Sequence, residues 1–180
     1  SIDNKKMTIV LIGYMASGKT SVGKILAQKL NYKFIDLDDF IEEKERATIK
    51  EIFKNKGEIY FRKVETQYLK ALLDLKNENI VLSVGGGAPC FGENMDFILN
   101  AKNATSVYLK GSVSFLANKL VNKRSKRPLI SHIDNVEDMS EFVGKHLFER
   151  MSFYSKAEKH VVIDHKTKPE IVQEIVSVLF

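Results

Sequence analysis

Only one cysteine, Cys90, stands among 180 residues. It cannot close an intramolecular disulfide, which excludes the small secreted disulfide scaffolds and leads us to expect a reducing cytoplasm. Long hydrophobic runs are also missing: stretches such as Ile9–Ile12 and Val161–Ile163 fall far short of the roughly 20 residues that span a bilayer. The opening segment Ser1-Ile2-Asp3-Asn4-Lys5-Lys6 has none of the apolar core of a secretory signal. No tract rich in proline, glycine or serine marks a linker, and no repeat or low-complexity segment interrupts the chain, so one domain over residues 1–180 is expected.

What is present is ordinary for a globular protein. With 44% hydrophobic and 28% charged residues, wholesale disorder is excluded. Twenty-eight lysines and arginines face 23 acidic residues, giving a net charge of +5. That surplus suits anionic partners, whether nucleotides, phosphorylated metabolites, carboxylic acids or nucleic acid, and a basic surface kept for solubility accounts for it equally well.

Short β-branched runs alternate with segments of helical period. Strands are predicted at Met7–Ile12, Lys33–Asp36, Val81–Val84, Ser106–Leu109 and His160–Asp164. Helices are predicted at Ser17–Leu30, Asp38–Glu45, Thr48–Asn55, Glu58–Leu75, Glu93–Asn100, Val113–Asn122, Glu137–Ser155 and Pro169–Leu179. Thr48-Ile49-Lys50-Glu51 has capping-box spacing, and Phe61, Val64, Tyr68, Leu72 and Leu75 trace one helical face. Apolar strands alternating with helices imply a three-layer α/β/α sandwich around a five-stranded parallel sheet. Ligands in such sheets bind beyond the carboxyl ends of the strands.

Gly13-Tyr14-Met15-Ala16-Ser17-Gly18-Lys19-Thr20 matches GxxxxGK[ST] in full. Chance produces that pattern in on the order of one per cent of chains this long. Here it follows a predicted strand and opens a helix, as the mechanism requires. The loop turns successive N–H groups toward phosphate oxygens, and the helix dipole adds to them. Lys19 is placed to neutralise the β- and γ-phosphates, and the Thr20 hydroxyl to meet Mg²⁺. A GTPase switch does not fit, because none of the nine aspartates begins DxxG and Asn118-Lys119-Leu120-Val121 lacks the guanine-reading aspartate.

The third strand ends in Gly85-Gly86-Gly87, not in a carboxylate, so the metal must find its acid elsewhere. Asp36 and Asp38, two residues apart at the end of the second strand, are expected to lean over the same side of it. One would serve the metal and the other a substrate hydroxyl, although Asp38 as a mere helix cap is an alternative.

Taken together, these residues give a chain that resembles the shikimate kinase family nearly end to end. The resemblance rests on the phosphate loop, Asp36-Leu37-Asp38, Gly57-Glu58-Ile59-Tyr60-Phe61-Arg62, the triple glycine, Arg127-Pro128-Leu129 and an arginine before Tyr154. It implies a P-loop kinase fold of the nucleoside-monophosphate-kinase type. The implied reaction is ATP-dependent phosphorylation of the 3-hydroxyl of shikimate, on the route to chorismate and the aromatic amino acids. It also implies nucleotide contacts from Ala16, Ser17, Gly18, Lys19, Thr20, Ser21, Arg127 and Lys168, with Mg²⁺ held by Thr20 and, through water, by Asp36. Asp38 would hold the reacting hydroxyls, Arg62 and Arg150 the carboxylate, and Gly85–Gly87 the ring hydroxyls. Phe53 and Phe61 would wall the pocket, Glu65 would orient Arg62, and Arg127 would descend from a mobile lid at about 122–135. Lys19, Asp38 and Arg127 form the expected catalytic group.

The substrates expected are small molecules, with no nucleic acid or membrane partner and a monomeric state. Nucleic acid fits poorly because no aromatic residues interleave Lys119, Lys123, Arg124, Lys126 and Arg127 as stacking platforms. The alternatives are another metabolite kinase acting on gluconate or a nucleotide, and a nucleotide-binding module without turnover. Two departures from the family pattern stand out: Leu120 occupies a position where many relatives carry an arginine against adenine, and the loop Asp164–Pro169 is a residue short. Cys90 is expected to be a small buried apolar residue.

Overall fold

The computed structural model describes residues 5–123 and 128–180. Five strands, β1 (Thr8–Ile12), β2 (Lys33–Asp36), β3 (Ile80–Ser83), β4 (Ala104–Lys110) and β5 (Lys159–Val162), form one sheet in the order β2-β3-β1-β4-β5. Every pairing is parallel. All the carboxyl ends therefore open on one edge.

The alternation of β1 explains the layers. Ile9 and Leu11 join Val81, Val107 and Val161 in one buried cluster, which α1 (Lys19–Leu30) and α7 (Lys168–Leu179) cover. Val10 and Ile12 face the opposite way, into a larger core. That side is covered by α3 (Ile49–Leu73), α4 (Asn94–Asn100), α5 (Val113–Val121) and α6 (Val136–Tyr154). All five residues of β1 are buried, as expected of a central parallel strand covered on both faces.

Helix ends differ from the sequence expectation in instructive ways. Strand β2 stops at Asp36, which becomes the N-cap of α2 (Leu37–Glu45), its carboxylate accepting from the Asp39 N–H at 3.2 Å. Asp36 is thus the cap and Asp38 lies in the first helical turn, so the two do not share a strand face. Thr48 caps α3 through the Glu51 N–H, but Glu42 takes the place of the reciprocal carboxylate by accepting from the Ile49 N–H at 2.8 Å. A complete capping box occurs instead at Thr167 and Glu170, which bracket Pro169 in the first turn of α7. Leu75 lies beyond the end of α3 and is exposed, and Leu69 and Leu73 take its place in the core.

The predicted break between two helices falls inside α3, at Gly57, with φ 88° and ψ 169°. Only glycine adopts that region without strain. The break turns Phe53 back against Phe61, their ring centroids 4.8 Å apart. Part of the expected lid, with Arg127, lies outside the described residues. The Ser131–Asn135 stretch, expected to supply lid mobility, follows the turn Pro128–Ile130, and Ile130 and Ile133 are both buried in the larger core.

Two glycines give opposite predictions. A Cβ at Gly57 meets nothing within 4 Å, so Gly57→Ala isolates backbone strain and should cost about 1–3 kcal/mol. Gly144 lies within α6, where an added methyl makes only ordinary contact with Val113, and Gly144→Ala should gain about 0.5–1 kcal/mol. Urea unfolding midpoints check both signs.

Candidate active site

The phosphate loop joins β1 to α1 at the open edge of the sheet. Ala16 (φ 64°) and Gly18 (φ 89°) adopt left-handed backbone in it. Lys19 folds back so that its Nζ donates to the Gly13 carbonyl at 2.6 Å and the Tyr14 carbonyl at 3.1 Å. The Ser17 hydroxyl is buried in the loop with no hydrogen-bond partner among the described residues. A cavity of about 310 Å³ opens here, lined by Ala16, Gly18, Lys19, Thr20 and Ser21 from the loop, and by Asp38 and Gly86 at its other end. Lys119, Lys123 and Lys168 complete the wall. One space therefore touches a ring of cations and a carboxylate.

Residues 85–87 show why that carboxylate lies where it does. A methyl added at Gly85 would come 3.3 Å from an Asp38 carboxylate oxygen. At Gly86 it would come 3.0 Å from Arg150 Nη1, and at Gly87 2.8 Å from Arg62 Nη2. Three side chains from α2, α6 and α3 thus press on three successive backbone positions. Glycine leaves room for that approach, which a Cβ would crowd.

The two arginines are braced. Arg62 Nη1 donates to Glu65 Oε1 at 2.8 Å, one turn along α3, with Glu65 only 1% exposed. The Arg62 guanidinium lies over the Phe61 ring, 5.3 Å from its centroid. Arg150 Nη1 reaches the Tyr154 hydroxyl at 3.5 Å, and that hydroxyl donates to the Gly86 carbonyl at 2.6 Å. Asn94, fully buried, ties the glycine turn to α3: its amide donates to the Ala88 carbonyl and its oxygen accepts from Thr66.

The structure therefore brings together the acidic, glycine and two arginine positions singled out in the sequence, with Phe61 buried beside them and Phe53 half-exposed. Thr20 Oγ1 donates to Asp36 Oδ2 at 3.2 Å, a hydroxyl and a carboxylate side by side at the mouth of the loop. Leu120 is fully buried in the core, whereas Lys119, one residue earlier, reaches the cavity and lies 5.0 Å from the Phe115 ring centroid. Beside the loop, a second cavity of about 310 Å³ has walls that include Phe115, Ile163, Ile171 and Lys166. Cys90 is half-buried rather than enclosed, and feels the charges of Arg150 and Arg62 while burial raises its pKa. Tyr154 and Asn94 were missed in the sequence. The i,i+4 spacing from Arg150 to Tyr154 was the one available signal, and Asn94 offered none because its partners are far along the chain.

Comparison with known proteins gives the chain its relatives. A family model described as shikimate kinase matches residues 15–180. The chain is 46% identical to a shikimate kinase of Flavobacterium psychrophilum over 172 residues, covering 96% of this chain and 98% of that protein. Among solved structures, a shikimate kinase from Bacteroides thetaiotaomicron superposes with a TM-score of 0.81 at 33% identity, covering 96% of this chain and 98% of the other. A shikimate kinase from Acinetobacter baumannii, solved in complex with shikimate, gives a TM-score of 0.80 at 31% identity over 97% of this chain and 93% of that one.

The electrostatics of the acid follow from its surroundings. Burial, then the charges of Asp36 and Glu65, push the Asp38 pKa from 3.8 up to about 6, against the opposing pull of Lys19 and Arg62. Burial likewise raises Glu65, which Arg62 partly offsets. Because the folded state holds the Asp38 proton more tightly than the unfolded chain, this group's contribution to stability is lost as pH rises from about 4 through about 6. Asp38→Asn should therefore stabilise the free protein at pH 7.5, by on the order of 1–2 kcal/mol. The gain should shrink at pH 5, as urea midpoints at the two pH values will show.

Proposed function

The chain belongs to the shikimate kinase family, and on that premise we propose that it transfers the γ-phosphoryl group of ATP to the 3-hydroxyl of shikimate, with the side chains of one cavity dividing the work. The observation that carries this reading is the meeting of Asp38, Arg150 and Arg62 at Gly85, Gly86 and Gly87, beside a phosphate-loop cavity whose wall includes Asp38 and Gly86. A small polyhydroxy carboxylate matches that arrangement. Two guanidinium groups suit a carboxylate because their planar donors pair with it and do not lose charge. The neighbouring acid suits a hydroxyl.

At the donor end, the loop N–H groups and the buried Ser17 hydroxyl face the phosphates, and Lys19 turns from the Gly13 and Tyr14 carbonyls to their oxygens. Ala16, Gly18, Thr20 and Ser21 line the same cradle, and Lys168 closes it from α7. The second cavity, with Phe115 and Ile163 as apolar walls and Lys119 at its rim, takes the adenine. Arg127 adds charge from outside the described residues. Among the described residues, no cluster of three or more His, Cys, Asp or Glu side chains could hold a metal alone. The adjacent Thr20 hydroxyl and Asp36 carboxylate fit Mg²⁺ that arrives with the triphosphate, since that ion favours oxygen ligands and keeps phosphates and waters in its shell. Bound there, Mg²⁺ supplies charge neutralisation between the β- and γ-phosphates.

At the acceptor end, Arg62 and Arg150 fix the ring by its carboxylate, with Glu65 holding Arg62 in its rotamer. Phe53 and Phe61 limit the ring's tilt. Asp38 accepts a hydrogen bond from the 3-hydroxyl, and with a pKa near 6 it is ionised at neutral pH and ready to take the proton as the phosphoryl group arrives. Catalysis is then mainly alignment and charge neutralisation. One chain builds both ends, so a monomer in the cytoplasm acting on small molecules suffices, with no nucleic acid or membrane. No helix among the described residues is long and apolar enough to cross a membrane.

A coupled ADP-release assay with shikimate, gluconate and nucleoside monophosphates tests the substrate. Turnover with shikimate alone is expected, and turnover with gluconate but not shikimate would refute the reading. Arg62→Ala should raise the shikimate KM by about 10- to 100-fold with ATP affinity within about twofold. Asp38→Asn should lower kcat by about 100-fold or more while MgATP still binds. In the unaltered protein, kcat/KM should fall on the acid side with an inflection near pH 6.

A further inference from the structure

Phe142, His146, Arg150 and Tyr154 recur at intervals of four along α6 and form one ridge. The C-terminal pair lies against the glycine turn, as described above. Of the preceding pair, His146 reaches the phosphate loop instead and Phe142 backs it. The Tyr14 hydroxyl lies 2.8 Å from His146 Nδ1, and the two rings meet edge to face with centroids 5.3 Å apart. Phe142 packs edge-on against the same imidazole, 5.5 Å away. The Arg150 guanidinium stands 5.9 Å from the centroid of the Tyr14 ring.

Tyr14 is therefore gripped by two side chains one helical turn apart, and it is only 1% exposed. Its main chain has a separate task, since its carbonyl accepts from Lys19 Nζ. Burial, reinforced by Arg150 against the opposing charge of Glu149, lowers the His146 pKa and keeps the ring neutral. The tautomer protonated at Nε2 then leaves Nδ1 free to accept from Tyr14. Phosphoryl transfer itself uses neither the imidazole nor the phenol.

We propose that the Tyr14–His146 hydrogen bond couples occupancy of the phosphate loop to the placement of Arg150, with His146 as the positioning residue. The proposal rests on the reading of Arg150 as a carboxylate clamp. When Lys19 turns to the phosphates, it releases the Tyr14 carbonyl. The Tyr14 ring, tied to α6 by His146, passes the adjustment to the guanidinium one turn away. Binding at the donor end thus alters affinity at the acceptor end, and the coupling is reciprocal.

Isothermal calorimetry of shikimate binding to the full chain, with and without saturating MgADP, tests this. In the unaltered protein, the nucleotide should change the shikimate Kd by at least about threefold. Tyr14→Phe, which loses a single oxygen, should bring that ratio close to one, as should His146→Phe, which keeps the ring volume without an acceptor. The double variant should go no further than either single change. His146→Asn, whose amide oxygen can lie near the Nδ1 position, should restore much of the ratio. A merely structural tie would lower affinities or melting temperatures and leave the ratio intact. That result in Tyr14→Phe and His146→Phe would overturn the proposal, as would a ratio of one in the unaltered chain. Absence of shikimate binding in the unaltered chain would instead overturn the substrate reading, and this inference with it.

Discussion

The close approach of one carboxylate and two guanidinium groups depends on the missing side chains of Gly85, Gly86 and Gly87. Backbone alone occupies the space in which a carboxylate and two guanidinium groups come within van der Waals reach of one turn. A Cβ at Gly87 would push the Arg62 guanidinium aside, and one at Gly85 or Gly86 would crowd Asp38 or Arg150. The sheet makes the same turn the natural meeting place, because β3 lies next to both β2 and β1 and all three end on the same edge.

Charge balance is the second constraint. Lys19 and Arg62 both act on Asp38, yet burial and two neighbouring carboxylates prevail, and its proton is held more tightly than in water. Glu65 serves two ends at once: it neutralises part of Arg62 while adding to the repulsion felt by Asp38. The site is therefore neither simply basic nor simply acidic. Its cations gather around the phosphate loop and against the glycine turn, where Asp38 also lies.

Much of this was legible in the chain because the signals are local. The strand–loop–helix context of Gly13–Thr20, the helix break before Glu58 and the period-two alternation of β1 all depend on near neighbours. What could not be read depends on distant ones. Asp36 and Asp38 look equivalent at spacing two, and only the stop of β2 at Asp36 makes one a cap and sends the other into a helical turn. Cys90 reads as a small core residue, and the approach of Arg62 and Arg150 from two other helices places it beside the site instead. The pairing of Tyr14 with His146 spans 132 residues and leaves no trace in any window of sequence.

The one-residue difference between Leu120 and Lys119 has a chemical corollary. Around the helix, that step moves the cation from the expected position to its neighbour, and it changes a guanidinium into a primary amine. Burial, then the crowding of Lys123 and Lys168, lowers the Lys119 pKa and leaves more of it as the free amine at a given pH. The cations against the glycine turn, Arg62 and Arg150, are arginines, which resist acylation. Mild amine-directed electrophiles therefore distinguish the two groups of cations, marking Lys119 and sparing the arginines.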